Sequence, residues 1–401
     1  MKKEHMYLVI FLSFIMAVVL IFTAGCAKNE KKEIATPELD EAQAVPEEIA
    51  DIIDTEAYDW PASTPEEQGL DSSVLKNAFI EAEKMPYMYS LLVIRNGYLV
   101  AEQYFHGQNR NRANDIHSAS KSFTSALIGI AFEKGYLKSL DQKMMNFFPE
   151  YVTPALDPRI FDITIEHLLM MQGGFDWDDD FESWDEYGSA EDWIKYTLKL
   201  PFKSDPGERF DYCTPQTNLL SAILTRATGM NTKEFAEKYL FESLGISIGC
   251  WHTYPPGYYT GGHAMCFNPR NMARLGYLYL NKGKVDGIQI VPEEWVEASV
   301  KSYGSSPWNW GAVKEHGYGY QWWNGKLGGY SMFYASGKGG QFIIVIPQLE
   351  MVVVTTTDAT AWGKAEWEQI LATMQFVADN VLSAVMDSRD RSLSKNLFLV
   401  T

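Results

Sequence analysis

The spacing of hydrophobic residues changes along the chain, and the first change marks the start of a folded region. Residues 71–85 place apolar side chains at helical intervals, whereas residues 89–94 and 98–105 are rich in β-branched and aromatic residues. Asn96 and Gly97 separate these two runs and supply the positive φ angles of a tight hairpin turn. The pattern predicts a helix followed by a β-hairpin.

Helical spacing dominates a central block, residues 140–283, and strand-like runs return only after it. The helices predicted within the block span residues 165–171, 190–198, 216–228, 232–243 and 270–281. The later runs predict strands at residues 318–323, 331–334, 341–347 and 351–357 and an amphipathic helix at residues 362–386. We predict an α/β (α+β) fold, in which terminal helices flank one antiparallel sheet completed by both chain ends, with a mainly helical inserted domain.

The first 26 residues resemble a targeting segment. Lys2 and Lys3 precede an uncharged apolar run, residues 7–24, which is typical of an export signal. The Thr-Ala-Gly-Cys sequence that ends at Cys26 resembles a bacterial lipoprotein cleavage site, in which this cysteine carries the lipid. An uncleaved signal anchor is the alternative, because a run of this length can span a bilayer. Both interpretations predict an exported protein held at the extracytoplasmic face of the cell membrane.

Composition divides the remaining chain into a linker and a folded domain. Residues 27–60 are rich in Glu, Asp, Lys, Ala and Pro, so we predict an acidic flexible linker there and a folded domain over residues 61–390. Hydrophobic residues make up 46% of the chain, enough for a large core. The formal net charge of -18 disfavours a nucleic-acid partner, because phosphate binding needs clustered Lys and Arg.

The cysteines and histidines predict no metal or organic cofactor. The sequence has no H-E-x-x-H motif and no paired C-x-x-C motif, and its seven histidines are scattered. Cys213, Cys250 and Cys266 remain if Cys26 is lipidated, and a Cys250–Cys266 disulfide is compatible with an oxidising compartment. The sequence leaves that bridge open, and it leaves the oligomeric state open as well.

A Ser-x-x-Lys pattern occurs three times, starting at Ser73, Ser118 and Ser392. Only Ser118 leads into a nearly unbroken run of small and apolar residues, 126–132, which predicts a helix buried on all sides. A serine at a helix start meets unpaired N–H groups that stabilise an oxyanion, and a lysine three residues on shares its face. Burial would lower the pKa of Lys121 and make its amine a base for the Ser118 hydroxyl. The alternative for an isolated motif is an N-cap serine beside a solvated lysine.

Two later segments add groups suited to the same chemistry. Tyr212 and Thr214 lie on one loop, and a tyrosine beside an ammonium group can have its pKa lowered and share the serine proton. Gly337 and Lys338 lie in a glycine-rich stretch before a strand, where a backbone N–H can complete an oxyanion hole with that of Ser118. A tyrosine packed at a helix start and an ordinary hairpin turn are the structural alternatives.

Together these motifs resemble the three active-site motifs of the class C β-lactamase and penicillin-binding protein superfamily, closest to its esterase and 6-aminohexanoate-dimer hydrolase branch. The similarity covers residues 61–384. The motifs that carry it are Ser118-Ala119-Ser120-Lys121-Ser122-Phe123, Tyr212-Cys213-Thr214 and Ala335-Ser336-Gly337. Two positions depart from the pattern: Thr214 stands where relatives often have Asn, and Ala335 stands where β-lactamases carry Lys and many esterases carry His.

The resemblance implies a role for each matching residue. Ser118 would be acylated, Lys121 and Tyr212 would move protons, and Gly337 with Lys338 would border the oxyanion site. The further substrate-binding candidates that it implies are Ser336, Thr214, Tyr187, His263 and Trp323.

We therefore predict a serine hydrolase that cleaves small esters or amides through a Ser118 acyl-enzyme. Without a cation at Ala335, recognition of a β-lactam carboxylate is disfavoured. Three alternatives stay open: a tethered penicillin- or peptidoglycan-binding protein with little turnover, a DD-peptidase and a β-lactamase.

Overall fold

The computed structural model describes residues 60–386. The predicted signal, the lipidation candidate Cys26 and the linker up to residue 59 lie outside the described residues, as do the last four residues predicted for the domain. Within the described range, no helix is both long enough and apolar enough to cross a membrane.

Fourteen strands and eleven α-helices make up the regular structure of the described residues. The strands are β1 Met88–Arg95, β2 Tyr98–Tyr104, β3 Asn114–Asp115, β4 Cys250–Trp251, β5 Thr253–Tyr254, β6 Tyr258–Tyr259, β7 Met265–Phe267, β8 Lys284–Val285, β9 Ile288–Gln289, β10 Lys314–Tyr318, β11 Trp323–Leu327, β12 Tyr330–Gly337, β13 Gln341–Ile346 and β14 Met351–Thr357. The helices are α1 Ser72–Glu83, α2 Ser120–Glu133, α3 Ile165–Leu169, α4 Phe181–Gly188, α5 Trp193–Leu198, α6 Thr214–Thr228, α7 Thr232–Ala236, α8 Glu242–Leu244, α9 Pro269–Leu280, α10 Glu293–Ser299 and α11 Lys364–Phe376.

A seven-stranded antiparallel sheet holds the fold together, in the order β10-β11-β12-β13-β14-β1-β2. Every residue of β13 and β14 is buried, because the sheet is covered on both faces. Side chains alternate between two cores: Ile343 and Val345 pack with the helical block, whereas Phe342 and Ile344 pack with the terminal helices α1 and α11. The predicted α/β fold, with one antiparallel sheet and flanking terminal helices, is confirmed.

Both ends of the described chain meet beside this sheet. The N-terminal strand β1 pairs with the last strand, β14, and the Asp71 N–H donates to the Ala384 carbonyl at 2.8 Å. The predicted hairpin turn between β1 and β2 is present, with φ values of 51° at Asn96 and 83° at Gly97. The sheet is therefore completed by both chain ends, as predicted.

Two details of the predicted elements are wrong. A single strand is predicted at residues 318–323, but residues 319–322 form the connection between β10 and β11. Gly319 lies against the Ser299 backbone, where a Cβ would be 2.0 Å from the carbonyl oxygen, and Gln321 has a φ of 63°. This segment turns, so the aromatic run does not pair as one strand. Helices α4 and α10 also lack a predicted counterpart, since both are short.

A three-stranded sheet has the order β3-β7-β4, and its strand β3 lies directly before Ser118 in the chain. Cys250 of β4 and Cys266 of β7 form a disulfide across it, with a Cα–Cα distance of 4.8 Å. Cys266 is also paired with Asp115 of β3. The bridge that the sequence leaves open is present, and it anchors the segment that leads to Ser118.

Candidate active site

Ser118 lies in a single 3-10 turn, His117–Ala119, that leads into the buried helix α2. His117 has a φ of 47°, and its N–H donates to the Asp115 side chain at 2.8 Å. A non-glycine residue in the left-handed region costs about 1–3 kcal/mol, so the surrounding structure enforces this turn. Ser118 stays partly exposed while the residues of α2 that follow it are buried, as predicted. The hydroxyl is thereby presented to solvent at the start of a rigid helix.

Lys121 places its amine directly behind that hydroxyl. Its Nζ lies 2.9 Å from each of three acceptors: Ser118 Oγ, Thr214 Oγ1 and the Gly262 carbonyl oxygen. Burial lowers the pKa of Lys121 to about 8, and the negative charge of Asp179 opposes the shift. A neutral amine donates two hydrogen bonds and accepts one, so Thr214 and Gly262 leave its lone pair for the Ser118 hydroxyl.

The loop that contains Gly261 and Gly262 forms one side of the site around the Lys121 amine. A Cβ on Gly262 would lie 2.8 Å from Thr214 Cγ2, so only glycine lets the carbonyl approach Lys121 this closely. Asn218 Oδ1 accepts from both glycine N–H groups at 3.0 and 2.9 Å, and its Nδ2 donates to the Tyr187 hydroxyl at 3.1 Å. Tyr187 is fully buried, so it supports Asn218 from the core, and the substrate contact that the resemblance implies stays a prediction.

Thr214 connects Lys121 to a carboxylate that sequence reasoning missed. Its hydroxyl accepts from Lys121 and donates to Asp179 Oδ2 at 2.8 Å, and the Trp177 indole donates to the other oxygen of the same carboxylate. Asp179 is exposed as a residue, but both oxygens of its carboxylate accept hydrogen bonds from buried side chains. Burial raises its pKa, and the Lys121 charge opposes that rise. The only sequence signal for Asp179 is an acidic run, which is also typical of a solvated surface.

Tyr212 stands on the other side of the serine. A hydrogen bond with Ser118 lowers the pKa of its phenol, but burial outweighs it and the nearby Asp179 charge raises the pKa further. The expectation of a lowered tyrosine pKa is therefore wrong, because burial dominates over the Lys121 amine 4.8 Å from the ring centre. Tyr212 is a protonated phenol at neutral pH. The buried Trp323 stacks behind it at 5.6 Å.

The hairpin between β12 and β13 forms the third side of the site. A Cβ on Gly337 would lie 2.1 Å from the Ile116 carbonyl oxygen, so glycine is required where β12 passes the turn that holds Ser118. The hairpin turns through Lys338, the next residue, and Ser336 is buried in β12. Lys338 Nζ lies 3.1 Å from the centre of the Trp362 ring, and burial lowers its pKa.

His263 borders the amine site from the glycine loop. Its Nε2 is 3.1 Å from the Tyr254 hydroxyl, and its ring packs edge-on against Trp184 at 4.8 Å. Burial holds its pKa well below the usual value, and the Lys121 charge lowers it further. His263 is therefore neutral at physiological pH.

The sequence of the chain matches the profile of one protein family, described as Beta-lactamase, over residues 84–373. The chain belongs to the β-lactamase family. The matched range contains every residue of the site described above. With this membership, the protein is a β-lactamase-family hydrolase.

Individual relatives within and near the β-lactamase family are distant. The chain is 24% identical over 321 residues to 6-aminohexanoate-dimer hydrolase of Paenarthrobacter ureafaciens, covering 74% of this chain and 79% of that protein. Its fold is similar to that of an octameric penicillin-binding protein homologue from Pyrococcus abyssi, with a TM-score of 0.60, 20% identity and 79% coverage of both chains. It is also similar to EstCE1, a hydrolase with promiscuous acyltransferase activity, with a TM-score of 0.60, 16% identity and coverage of 75% and 98%.

Proposed function

We propose that this β-lactamase-family protein is a serine hydrolase that cleaves esters or small amides through an acyl-enzyme on Ser118. The observation that carries the proposal is the 2.9 Å contact between Ser118 Oγ and an amine whose pKa is about 8. Such an amine is partly deprotonated at neutral pH, which is the state that activates a serine hydroxyl. The named relatives, an amide hydrolase and a hydrolase with acyltransferase activity, support the same reaction class.

In the first half-reaction Lys121 accepts the Ser118 proton while Oγ attacks the carbonyl carbon of the substrate. We assign stabilisation of the oxyanion that forms to the N–H groups of Ser118 and Lys338. Collapse breaks the bond to the leaving group, which takes a proton from the Tyr212 phenol, and the Lys121 ammonium returns a proton to Tyr212. The product alcohol or amine leaves, and Ser118 carries the acyl ester.

In the second half-reaction a water molecule replaces the leaving group. Lys121, again a free amine, accepts a proton from the attacking water through the same hydrogen-bonded set. The ester bond to Ser118 breaks, the serine oxygen regains a proton, and the carboxylic acid is released. Tyr212 stays protonated between turnovers, in agreement with its raised pKa.

The location of this activity is part of the proposal. The export signal and the Cys26 lipidation site predicted from the sequence indicate an enzyme held at the extracytoplasmic face of the membrane. The Cys250–Cys266 disulfide supports that location, since such bridges persist in oxidising compartments.

The decisive experiment is covalent labelling of the full-length protein with a fluorophosphonate, together with turnover of p-nitrophenyl acetate and butyrate. We expect a mass increase on the Ser118 peptide and a loss of turnover on the order of 10³-fold or more in Ser118→Ala. Ser73→Ala is the matched control, because Ser73 begins a second Ser-x-x-Lys pattern on the exposed side of α1. Unlabelled Ser118 and equal turnover in both variants would reject the proposal.

A second candidate, binding or cleavage of a β-lactam, is favoured by one observation. Ala335 is buried and uncharged, but Lys338 brings a cation to the same hairpin. Incubation with penicillin G separates the cases. Stoichiometric acylation of Ser118 without turnover indicates a penicillin-binding protein, rapid turnover indicates a β-lactamase, and release of terminal D-Ala from a stem peptide indicates a DD-peptidase.

A further inference from the structure

The entrance above Ser118 carries an unusual share of the exposed aromatic surface. Eight large hydrophobic side chains are exposed among the described residues. Three of them adjoin the site through ring contacts: Trp308 contacts Tyr212, Trp362 contacts Lys338, and Phe181 contacts Trp362. The exposed fractions of Trp308, Trp362 and Phe181 are 43%, 46% and 67%. We call these three residues the aromatic mouth. Single exposed hydrophobic residues are ordinary, whereas a group beside a nucleophile indicates a binding surface.

Two members of the aromatic mouth are in contact with each other. The rings of Phe181 and Trp362 meet edge to face with 5.6 Å between their centres. Phe181 is the first residue of α4 and follows the acidic run that contains Asp179. Trp362 precedes α11 on the sheet side and covers the Lys338 ammonium. The pair therefore joins the helical side of the site to the hairpin side.

The third member extends the apolar surface over the tyrosine. Trp308 packs edge-on against Tyr212 at 5.7 Å and lies 6.0 Å from Trp323. It also lies 6.0 Å from Trp367 of α11, the helix that Trp362 precedes. The mouth is thus continuous with Tyr212, the proposed proton donor to the leaving group.

We propose that the aromatic mouth binds a large apolar group of the substrate, preferably a planar aromatic ring, in the acyl or the alcohol part of an ester or amide. The inference rests on the proposed function and names its substrate class. Water-exposed aromatic rings gain from burial and from stacking or edge-to-face contact with a second ring, and a short alkyl group offers little of either.

The test compares esters that differ in one group only. Methyl acetate and benzyl acetate share the acyl group, and methyl phenylacetate shares its alcohol with methyl acetate. We expect kcat/KM of the native protein to be about 10-fold or more higher for at least one aromatic ester than for methyl acetate. The variant Phe181→Ala/Trp362→Ala is expected to reduce that ratio on the order of 10-fold. Phe161→Ala, which truncates an exposed phenylalanine away from the site, is expected to leave the ratio unchanged.

The inference is overturned if the native protein has nearly the same kcat/KM for the aromatic esters and for methyl acetate, or if the double variant keeps the native ratio. In both cases, turnover of the esters still supports the proposed function. If no ester is turned over, the inference is tested by ligand binding instead. Saturation-transfer NMR of benzyl acetate with Ser118→Ala is expected to give a signal that the further change Trp362→Ala removes. Absence of that signal, or its persistence without Trp362, overturns the aromatic mouth independently of catalysis.

Discussion

Lys121 gives the proposed reaction a defined pH dependence. The fraction of its free amine increases as the pH rises through about 8, because burial lowers the pKa of this lysine to that value. We therefore expect kcat/KM for p-nitrophenyl acetate to rise between about pH 7 and pH 9. Lys121→Met is expected to lower kcat/KM on the order of 10³-fold and to lose this rise. A native profile that is flat over this range would contradict Lys121 as the base.

The same lysine is expected to reduce the stability of the fold. Its pKa falls from 10.5 to about 8 on folding, so the unfolded chain binds the proton more tightly between these values and stability rises with pH across them. The cost is fully present below pH 8 and amounts to roughly 3 kcal/mol. In urea unfolding, the stability of Lys121→Met relative to the native protein is expected to be highest below pH 8 and to decrease towards pH 10.5. The exposed Lys76→Met is the control, and an equal trend there would refute the argument.

Asp179 acts on this amine through Thr214. Its negative charge raises the pKa of Lys121, so Asp179→Asn is expected to move the acidic limb of the pH profile below about 8. We expect kcat to fall as well, because the Thr214 hydroxyl loses its charged acceptor at 2.8 Å. Asp178→Asn changes the neighbouring exposed carboxylate and is expected to leave both quantities unchanged. If Asp179 has a purely structural role, Asp179→Asn will lower activity without moving the acidic limb of the pH profile.

At the scale of elements, β12 can pass close to the Ser118 turn because residue 337 is a glycine. Gly337→Ala would place a methyl group about 2.1 Å from the Ile116 carbonyl oxygen, and a backbone contact of this kind is relieved only by moving the strand. We expect a loss of about 1–3 kcal/mol in unfolding free energy and a fall in kcat of about 100-fold or more. Gly188→Ala, where a Cβ meets nothing within 4 Å, is the matched control.

The elements predicted correctly from sequence are those whose pattern is local. The strand at Met351–Thr357 has the predicted bounds, and α2 is buried from Ser120 to Ala131, since unbroken apolar runs specify burial wherever they fold. Asp179 and the Gly262 carbonyl could not be found this way, because each reaches Lys121 from a segment whose position depends on tertiary packing. The predicted lowering of the Tyr212 pKa was wrong for the same reason, because the burial of Tyr212 depends on the assembled site.

For the whole molecule, the disulfide connects stability to the Ser118 segment. Cys250 and Cys266 are 16 residues apart, and a loop of about this length predicts a stabilisation of roughly 3 kcal/mol. We expect Cys250→Ser/Cys266→Ser to lose about that amount in urea unfolding and to become insensitive to dithiothreitol. Because Cys266 pairs with Asp115, we also expect a lower kcat. Equal stability of native and variant proteins under oxidising conditions would contradict this assignment.

The pairing of β1 with β14 has a consequence for biosynthesis. The hairpin of β1 and β2 leaves the ribosome early, but one edge of β1 has no partner until residues 351–357 have been made. At about 5–20 residues per second, this delay is on the order of ten seconds or more, during which an apolar strand edge is open to aggregation. A chain that stops before β14 is expected to be degraded and not to accumulate as a partial enzyme.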